Sequence, residues 1–393
     1  MTVYVDNAAT TRCGEKALSA MLPYFREEFG NPSSLHVYGQ RAAAALQTAR
    51  ESVARSLGAL PQEITFTGSG TEADNQAIRS AALAGAKKGK KHLISCAIEH
   101  HAVLHTLDQL KREGFEVTIL PVDEYGVVTA QQVAAAIRED TALVTIMTAN
   151  NEVGTVEPIS EIGAVCKEKG VVFHTDAVQA VGHLPLDVKT LGADMLSLSG
   201  HKFHGPKGIG VLWCRKGSVP LTSLIQGGGQ ERRKRAGTEN LPAIVGLAAA
   251  LEEAVAELDE QMPRIAAMRD KLIAGLSKIE RSRLNGHPTQ RLPGNVNFCF
   301  EGIEGESLLL LLDQKGVCAS SGSACTSGSL DPSHVLLSLG LPHAIAHGSL
   351  RLSLSRETTE EDIDYILGIV PPVVEYLREI SPVWEEIKAN EGK

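Results

Sequence analysis

Residues 171–214 read VVFHTDAVQAVGHLPLDVKTLGADMLSLSGHKFHGPKGIGVLWC and contain three apolar runs of strand length, 171–177, 193–199 and 208–214. The runs are rich in Val, Ile and Leu without regular alternation, which is typical of strands covered on both faces. The first run carries Asp176 at its end, and the second leads directly into His201 and Lys202. These residues predict neighbouring buried strands with reactive side chains at their ends.

Four similar runs precede this stretch, and segments of helical pattern lie between most of them. The four runs are EITFT (63–67), HLISCA (92–97), FEVTIL (115–120) and ALVTIMT (142–148). Strands that alternate with helices indicate βαβ units. We therefore expect an α/β fold with a mostly parallel seven-stranded sheet and helices on both faces.

The second half of the chain has a different pattern. A long helical stretch follows Asn240, and isolated strands GNVNFCF and SLRLSLS come after it. This predicts a large α/β domain over residues 12–259. A smaller α+β domain is expected over 260–393, joined by residues 1–11.

Composition limits the possible partners and location. The net charge is −9, so nucleic acid or an anionic membrane is disfavoured as the main partner. The seven cysteines are odd in number and form no CxxC pair, as expected in a reducing compartment. The N-terminal residues do not resemble a signal peptide, and no apolar run is as long as a membrane span requires. We therefore expect a soluble cytoplasmic protein. Six cysteines are interpreted as packed strand residues: Cys13, Cys96, Cys166, Cys214, Cys299 and Cys318.

Polar clusters follow five of the predicted strands. They are Gly68–Glu72, Glu99–His101, Asn150–Glu152, Asp176 with Gln179, and Gly200–Lys202. In an open parallel sheet the carboxyl ends of the strands meet at one edge, where ligands bind. The sequence therefore predicts one site that receives all five clusters.

The residue types at this edge indicate a phosphorylated pyridine cofactor. Gly68–Thr71 open a helix directly after a strand, which is a place suited to a phosphate. Lys202 is placed where a lysine can bond covalently to a carbonyl group. Asp176 is suited to pair with a protonated ring nitrogen. Together they predict pyridoxal 5′-phosphate.

A second interpretation of the glycine-rich turn remains open. Gly68, Gly70 and Ala73 also fit a degenerate dinucleotide pattern, which would indicate a nicotinamide dehydrogenase. No acidic residue ends the next strand about 20 residues on, as ribose binding requires.

Several stretches resemble the cysteine desulfurases of the class-V aminotransferase family, with fold type I, and most closely their NifS-like members. They span most of the chain: VYVDNAATT, FGNPSSLH, GTEADN, EHHAVL, NNEVGT, FHTDAVQAVG, LSGHKFHGPKGIG, GGGQERRKRAGTEN and SSGSACTSGSLDPSHV. The resemblance implies conversion of L-cysteine to L-alanine. It also implies a persulfide on Cys325 and delivery of sulfur to an iron–sulfur scaffold protein, in nitrogenase-type or general cluster assembly.

The resemblance also implies how this chain holds the cofactor. Lys202 would bond to it, Asp176 would pair with the pyridine nitrogen, and Gln179 would contact the phenolic oxygen. His100 would stack on the ring and take part in proton transfer. The phosphate would be held by Gly70, Thr71, Ser199 and His201.

Substrate binding and assembly follow from the same resemblance. Asn151 and Arg351 would bind the substrate carboxylate, a task that suits arginine. Thr238 would reach the phosphate in the other subunit, which implies a homodimer. Cys325 would accept the sulfur, and the small polar segment 320–329 around it is expected to be poorly ordered without substrate.

Other functions stay open on the residues alone. Another pyridoxal enzyme of the same fold, an aminotransferase or a selenocysteine lyase, would use most of the same residues. An iron–sulfur protein with Cys318 and Cys325 as ligands would have too few thiolates for the usual four. The pairs His101/His105 and His201/His204 lack a matching carboxylate pattern, so no metal site is expected.

Overall fold

The computed structural model describes residues 2–321 and 332–391. The described part of the chain contains twelve strands: β1 (Val3–Tyr4), β2 (Ile64–Thr67), β3 (His92–Cys96), β4 (Glu116–Leu120), β5 (Thr141–Thr145), β6 (Val172–Asp176), β7 (Met195–Ser199), β8 (Gly210–Cys214), β9 (Ser282–Leu284), β10 (Asn295–Phe300), β11 (Val317–Cys318) and β12 (Ser349–Ser353).

The helices of the first two-thirds are α1 (Glu15–Met21), α2 (Pro23–Arg26), α3 (Val37–Leu57), α4 (Gly70–Ala86), α5 (His101–Arg112), α6 (Ala130–Ala136), α7 (Ile159–Lys169) and α8 (Leu241–Ala256). Those of the last third are α9 (Leu258–Leu276), α10 (Gly305–Gln314), α11 (His334–Ser338), α12 (His343–Ala346), α13 (Glu360–Glu379) and α14 (Pro382–Glu391).

The large sheet has seven strands in the order β2-β8-β7-β6-β5-β3-β4, which confirms the predicted number. Strands β3–β7 pair in parallel, and β8 is antiparallel to both β7 and β2. The turn from β7 to β8 is shorter than the dozen or so residues that a parallel crossover needs. Strand β8 therefore has to run back beside β7.

Helices cover both faces of this sheet, as predicted. Alternate residues of β8 enter opposite cores: Val211 and Trp213 join the core with α3 and α8, whereas Leu212 joins the core with α4 and α5. Because both faces are buried, the strands read as continuous apolar runs.

The long helical stretch after Asn240 is two helices. The Asn240 side chain accepts a hydrogen bond from the Ala243 amide at 3.3 Å and caps α8. Helix α8 ends before Glu257, and α9 begins at Leu258. The break separates the helix that covers the large sheet from the helix that covers a smaller one.

The smaller sheet is antiparallel in the order β12-β10-β9, and β1 pairs in parallel with β11 beside it. Its core joins apolar residues of α9, α10 and α13 with Val3 and Val5 of the N-terminal segment. The exact domain boundaries, 12–259 and 260–393 with 1–11, stay a prediction.

The cysteine interpretation was partly wrong. Cys96, Cys214 and Cys299 lie buried in strands, as predicted. Cys166 is also buried, but it lies on helix α7 and not on a strand. The apolar residues around it recur with a helical period. Cys13 lies outside the helices and strands, and Cys318 ends the two-residue strand β11. Both are only partly buried, so neither is a packed strand residue.

Candidate active site

A cavity of about 310 Å³ lies at the carboxyl edge of the large sheet. Ten of the predicted site residues line it: Gly70, Thr71, His100, Asn151, Asp176, Gln179, Ser199, His201, Lys202 and Arg351. Thr238 is exposed and is not among the lining residues. Cys325 and the expectation of a poorly ordered segment 320–329 fall mainly outside the described residues, which include only Ser320 and Ser321 of that stretch.

Asp176 and Lys202 both line the cavity. Asp176 ends β6 and is 5% exposed, and Lys202 follows β7 on a short 3-10 turn. Burial raises the pKa of Asp176 to about 6, while the Val178 amide and the Lys202 charge act against that rise. At neutral pH this carboxyl is therefore a buried anion that a cationic ligand atom would stabilise.

The N-terminal segment supplies a wall of the cavity. The Lys202 ammonium donates hydrogen bonds to the carbonyl oxygens of Ala8 and Ala9, at 2.6 and 2.8 Å. The Gln179 amide donates to the same Ala8 oxygen at 3.0 Å. Residues 8 and 9 belong to the VDNAATT stretch, to which sequence reasoning assigned no role.

The start of α4 forms a cradle for an anion. The Ser69 hydroxyl accepts a hydrogen bond from the Glu72 amide at 3.1 Å and caps the helix. A Cβ at Gly70 would lie 2.7 Å from a methyl carbon of Val178 and 3.3 Å from Ser199 Cβ. Only glycine leaves this space open, and the helix N-terminus directs free amides toward it.

Two histidines of the site are neutral at physiological pH. Burial, with the nearby Lys202 charge, lowers the pKa of His100 to about 4. The same two causes lower the pKa of His201 to about 4. His100 caps α5 through its Nδ1, which accepts from the Ala102 amide at 3.1 Å. A neutral imidazole at this position can lie against an aromatic ring or exchange a proton.

Sequence reasoning missed a buried polar group behind Asp176. Asp74 lines the cavity at 1% exposure, and burial followed by the charge of Asp176 raises its pKa well above the usual range. His174 Nε2 lies 3.7 Å from Asp74 Oδ1, and burial lowers the pKa of this histidine to about 3. Asp74 is therefore a neutral acid and His174 a neutral imidazole, and Asp176 is the one charged group of the three. The motif GTEADN contains Asp74, but helical spacing alone did not direct it to the site.

Arg351 and Asn151 lie together where the small sheet meets the cavity. Arg351 is on β12 at 2% exposure, and its Nη1 donates to the Asn151 carbonyl oxygen at 3.3 Å. Its Nη2 forms an ion pair with Asp6 at 2.8 Å. Arg351 Nε has no partner among the described residues. The guanidinium thus has a structural carboxylate partner and also faces the cavity.

The two ends of the segment around Cys325 attach beside this pair. The Arg351 amide donates to the Ser320 carbonyl oxygen at 2.6 Å. The Ser333 hydroxyl donates a very short hydrogen bond to Glu152, the residue after Asn151. Glu152 is another residue that sequence reasoning left without a role. Burial raises its pKa to about 7.

The fold and the cavity define an α/β enzyme that holds a phosphorylated pyridine cofactor. The sequence profile of the family Aminotransferase class-V matches residues 3–366. The chain belongs to this family.

Relatives and solved structures agree with that assignment. A cysteine desulfurase IscS of Methanosarcina thermophila is 57% identical, with 97% of this chain and 94% of the relative aligned. Cysteine desulfurase 2 of Trichormus variabilis is 52% identical, over 97% and 95%. The structure of a NifS-like protein is 41% identical with a TM-score of 0.90, and covers 96% of this chain and 100% of its own.

The predicted resemblance and the predicted cofactor are therefore confirmed. The residues present also fit pyridoxal 5′-phosphate on their own geometry. The cradle at Gly70 has room for a phosphate, the buried anion of Asp176 suits a cationic ring atom, and Lys202 lies at the same cavity. A nicotinamide dehydrogenase is not supported.

Proposed function

We infer that this protein is a pyridoxal-phosphate-dependent cysteine desulfurase that converts L-cysteine to L-alanine and supplies sulfur for iron–sulfur cluster assembly. The observation that carries the function is the placement of Lys202, Asp176 and Arg351 on one cavity, with both ends of the Cys325 segment attached at its substrate end. The names of the relatives agree with this activity.

We propose that the cavity divides its residues between cofactor and substrate. Gly70, Thr71, Ser199 and His201 hold the phosphate, and Asp176, Gln179 and His100 hold the ring. Bound pyridoxal 5′-phosphate supplies an electron-withdrawing ring that stabilises negative charge at the substrate Cα. Asp176 keeps that ring protonated because it is a buried anion at neutral pH.

Lys202 and Arg351 act on the substrate from opposite sides. Arg351 binds the α-carboxylate and orients the amino acid, and Asn151 lies beside it. Lys202 Nζ takes the proton from Cα, and the neutral His100 exchanges a proton at the same face. The buried surroundings keep water from competing for these groups.

Cys325 then accepts the sulfur. Its thiolate attacks the substrate sulfur, so that an S–S bond forms as the substrate Cβ–Sγ bond breaks and leaves its electron pair on the carbon. Cβ then takes up a proton, and the carbon product leaves as L-alanine. The products of one turnover are L-alanine and one persulfide on the enzyme. The thiolate is the reactive form, so the rate depends on its population.

The direct test is intact-mass analysis after a single addition of L-cysteine. The holoenzyme should gain one sulfur, and digestion should place it on Cys325. Cys325→Ala should keep the cofactor absorbance and lose sulfide release, and Cys318→Ala is the matched control. Sulfur on Cys318, or full sulfide release from Cys325→Ala, would contradict the assignment. Retained transamination of Cys325→Ala would favour an aminotransferase.

We further propose that the enzyme is a homodimer. Thr238 is exposed and outside the cavity of its own subunit, which suits contact with a second cofactor site. The segment from Leu18 to Tyr38 exposes several large apolar side chains, among them Leu22, Phe25, Phe29 and Leu35. Exposed apolar patches of this kind mark protein interfaces. Phe25→Asp with Phe29→Asp should give monomers in sedimentation, whereas Tyr376→Asp should not.

The sulfur acceptor and the location complete the proposal. An iron–sulfur scaffold protein is the proposed acceptor, in nitrogenase-type or general cluster assembly. The six cysteines within the described residues are all free, which supports a reducing, cytoplasmic location. Among the described residues, no helix is long and apolar enough to cross a membrane.

A further inference from the structure

Asp6 is the one carboxylate that the structure pairs directly with Arg351 among the described residues. Its side chain is 21% exposed, whereas that of Arg351 is 3% exposed. A backbone bridge between Asp6 and Ser353, and the amide of Asn7 bonded to the Ser353 carbonyl, hold the N-terminal segment against β12. The position of this ion pair is therefore set by the backbones of both residues.

The contacts of the Arg351 guanidinium leave one nitrogen without a partner. Nη2 binds Asp6, and Nη1 binds the Asn151 carbonyl oxygen. Nε is buried and has no partner within residues 2–321 and 332–391. A buried N–H without an acceptor is unfavourable, so the site is incomplete without an oxygen from a ligand.

The orientation of this unsatisfied donor depends on Asp6. An arginine side chain has several rotatable bonds, and a contact on each Nη atom fixes the plane of the guanidinium. Asn151 contributes a neutral carbonyl, whereas Asp6 contributes the charged and shorter contact. Without the Asp6 charge, only the weaker contact with the Asn151 carbonyl oxygen would hold the plane of the guanidinium.

We propose that Asp6 is a positioning residue for amino-acid substrates: it holds Arg351 so that the unpartnered N–H meets the α-carboxylate. The proposal rests on the proposed role of Arg351 in carboxylate binding. It predicts that Asp6 affects only ligands that carry this carboxylate. Asp6 itself takes no part in the transfer of protons or sulfur.

The same segment joins the two halves of the site. Asp6 contacts Arg351, and the carbonyl oxygens of Ala8 and Ala9 contact Lys202. The four-residue stretch from Asp6 to Ala9 therefore joins Arg351 to Lys202. Asp6 fixes one end of this stretch through its contacts with Arg351 and Ser353.

Binding is best measured in a Cys325→Ala background, because this variant is expected to bind L-cysteine without taking its sulfur. The holoenzyme is titrated with L-cysteine and with cysteamine, which lacks the carboxylate, and the cofactor absorbance is followed. Asp6→Asn should weaken L-cysteine binding about tenfold and change cysteamine binding less than twofold. Asp6→Glu should recover much of the affinity, and Glu357→Gln, a surface carboxylate beside Arg12, should match the parent.

Several results would overturn the proposal. Unchanged L-cysteine affinity in Asp6→Asn would remove any positioning role, and equal weakening of both ligands would indicate a general structural effect. Tighter L-cysteine binding would mean that Asp6 competes with the substrate. If Asp6→Asn does not fold, as judged by thermal melting and cofactor content, Asp6→Ser is titrated with both ligands instead. The same changes in affinity then decide the outcome. Sulfide release by the Cys325→Ala parent would contradict the proposed function without bearing on Asp6.

Discussion

The two ends of the cavity are built in different ways. The proposed cofactor end comes from successive strand ends of one sheet, with Asp176 as the last residue of β6 and Lys202 after β7. The substrate end pairs Arg351 of the small sheet with Asp6 of the N-terminal segment, two residues that lie 345 positions apart. The proposed reaction centre therefore depends on neighbouring strands of one sheet, whereas the proposed recognition of the substrate depends on how distant segments of the chain pack together.

The largest effect should come from the cofactor end. Lys202→Ala removes the group proposed to move the Cα proton, and general acid–base catalysis contributes about 10²–10⁴-fold. We expect kcat to fall by at least about 10³-fold, with a normal circular dichroism spectrum. The measurement is alanine production under saturating L-cysteine. Lys207→Ala, an exposed lysine five residues on, is the control and should retain full activity.

Arg351→Ala should affect the substrate end while leaving the cofactor end intact. Loss of a buried, charged partner costs about 2–5 kcal/mol, so KM for L-cysteine should rise about 100-fold. Cofactor content and visible absorbance should remain those of the parent. If the variant instead lost the cofactor, the division of the cavity into two ends would be wrong.

A buried carboxyl away from both ends should make the folded protein less stable as the pH rises from acid to neutral values. Burial raises the pKa of Glu157 to about 8, and the Val128 amide, a donor to it at 2.9 Å, acts against that rise. Between the pKa of the unfolded chain and that of the folded protein, the folded protein therefore keeps this proton while the unfolded chain has lost it. The free energy of unfolding falls as the pH rises through that window. Between pH 6 and 8 the loss from this group is about 2 kcal/mol.

Glu157→Gln should remove that part of the pH dependence. Denaturant unfolding at pH 6 and pH 8 should show a smaller loss in the variant than in the parent by about 2 kcal/mol. For each protein, the free energy of unfolding at pH 8 is subtracted from that at pH 6. Any pH-independent destabilisation caused by the glutamine amide therefore cancels. Equal changes in both proteins would mean that Glu157 is not protonated at pH 6 in the fold.

The smallest effect should come from the phosphate cradle. A Cβ at Gly70 would lie 2.7 Å from a methyl carbon of Val178, so Gly70→Ala should force a local shift and narrow the space for the phosphate, while the protein still folds. We expect the dissociation constant for pyridoxal 5′-phosphate to rise about tenfold, or about 1.4 kcal/mol. Gly368→Ala is the control, because Gly368 has no atom within 4 Å of the added Cβ and no positive φ. Undiminished cofactor affinity in Gly70→Ala would place the phosphate elsewhere.

Much of the cofactor end was predictable from sequence. Asp176 and Lys202 each follow an apolar run, and the carboxyl ends of parallel strands meet at one edge. The five polar clusters therefore indicate that edge from the amino-acid sequence alone. Asp74 was not found, because a carboxylate one turn into a helix has many possible directions. Its burial follows from the packing of α4 on the sheet.

The α/β class, the seven strands, the cofactor and the proposed roles of Asp176 and Lys202 follow from the amino-acid sequence, because the apolar pattern of each strand and the residues at its end are local properties of the chain. The pairing of Asp6 with Arg351, the bond between Glu152 and Ser333 and the antiparallel direction of β8 emerge only in the folded protein. The two side-chain contacts join segments far apart in the chain, and no periodicity records which distant side chains meet.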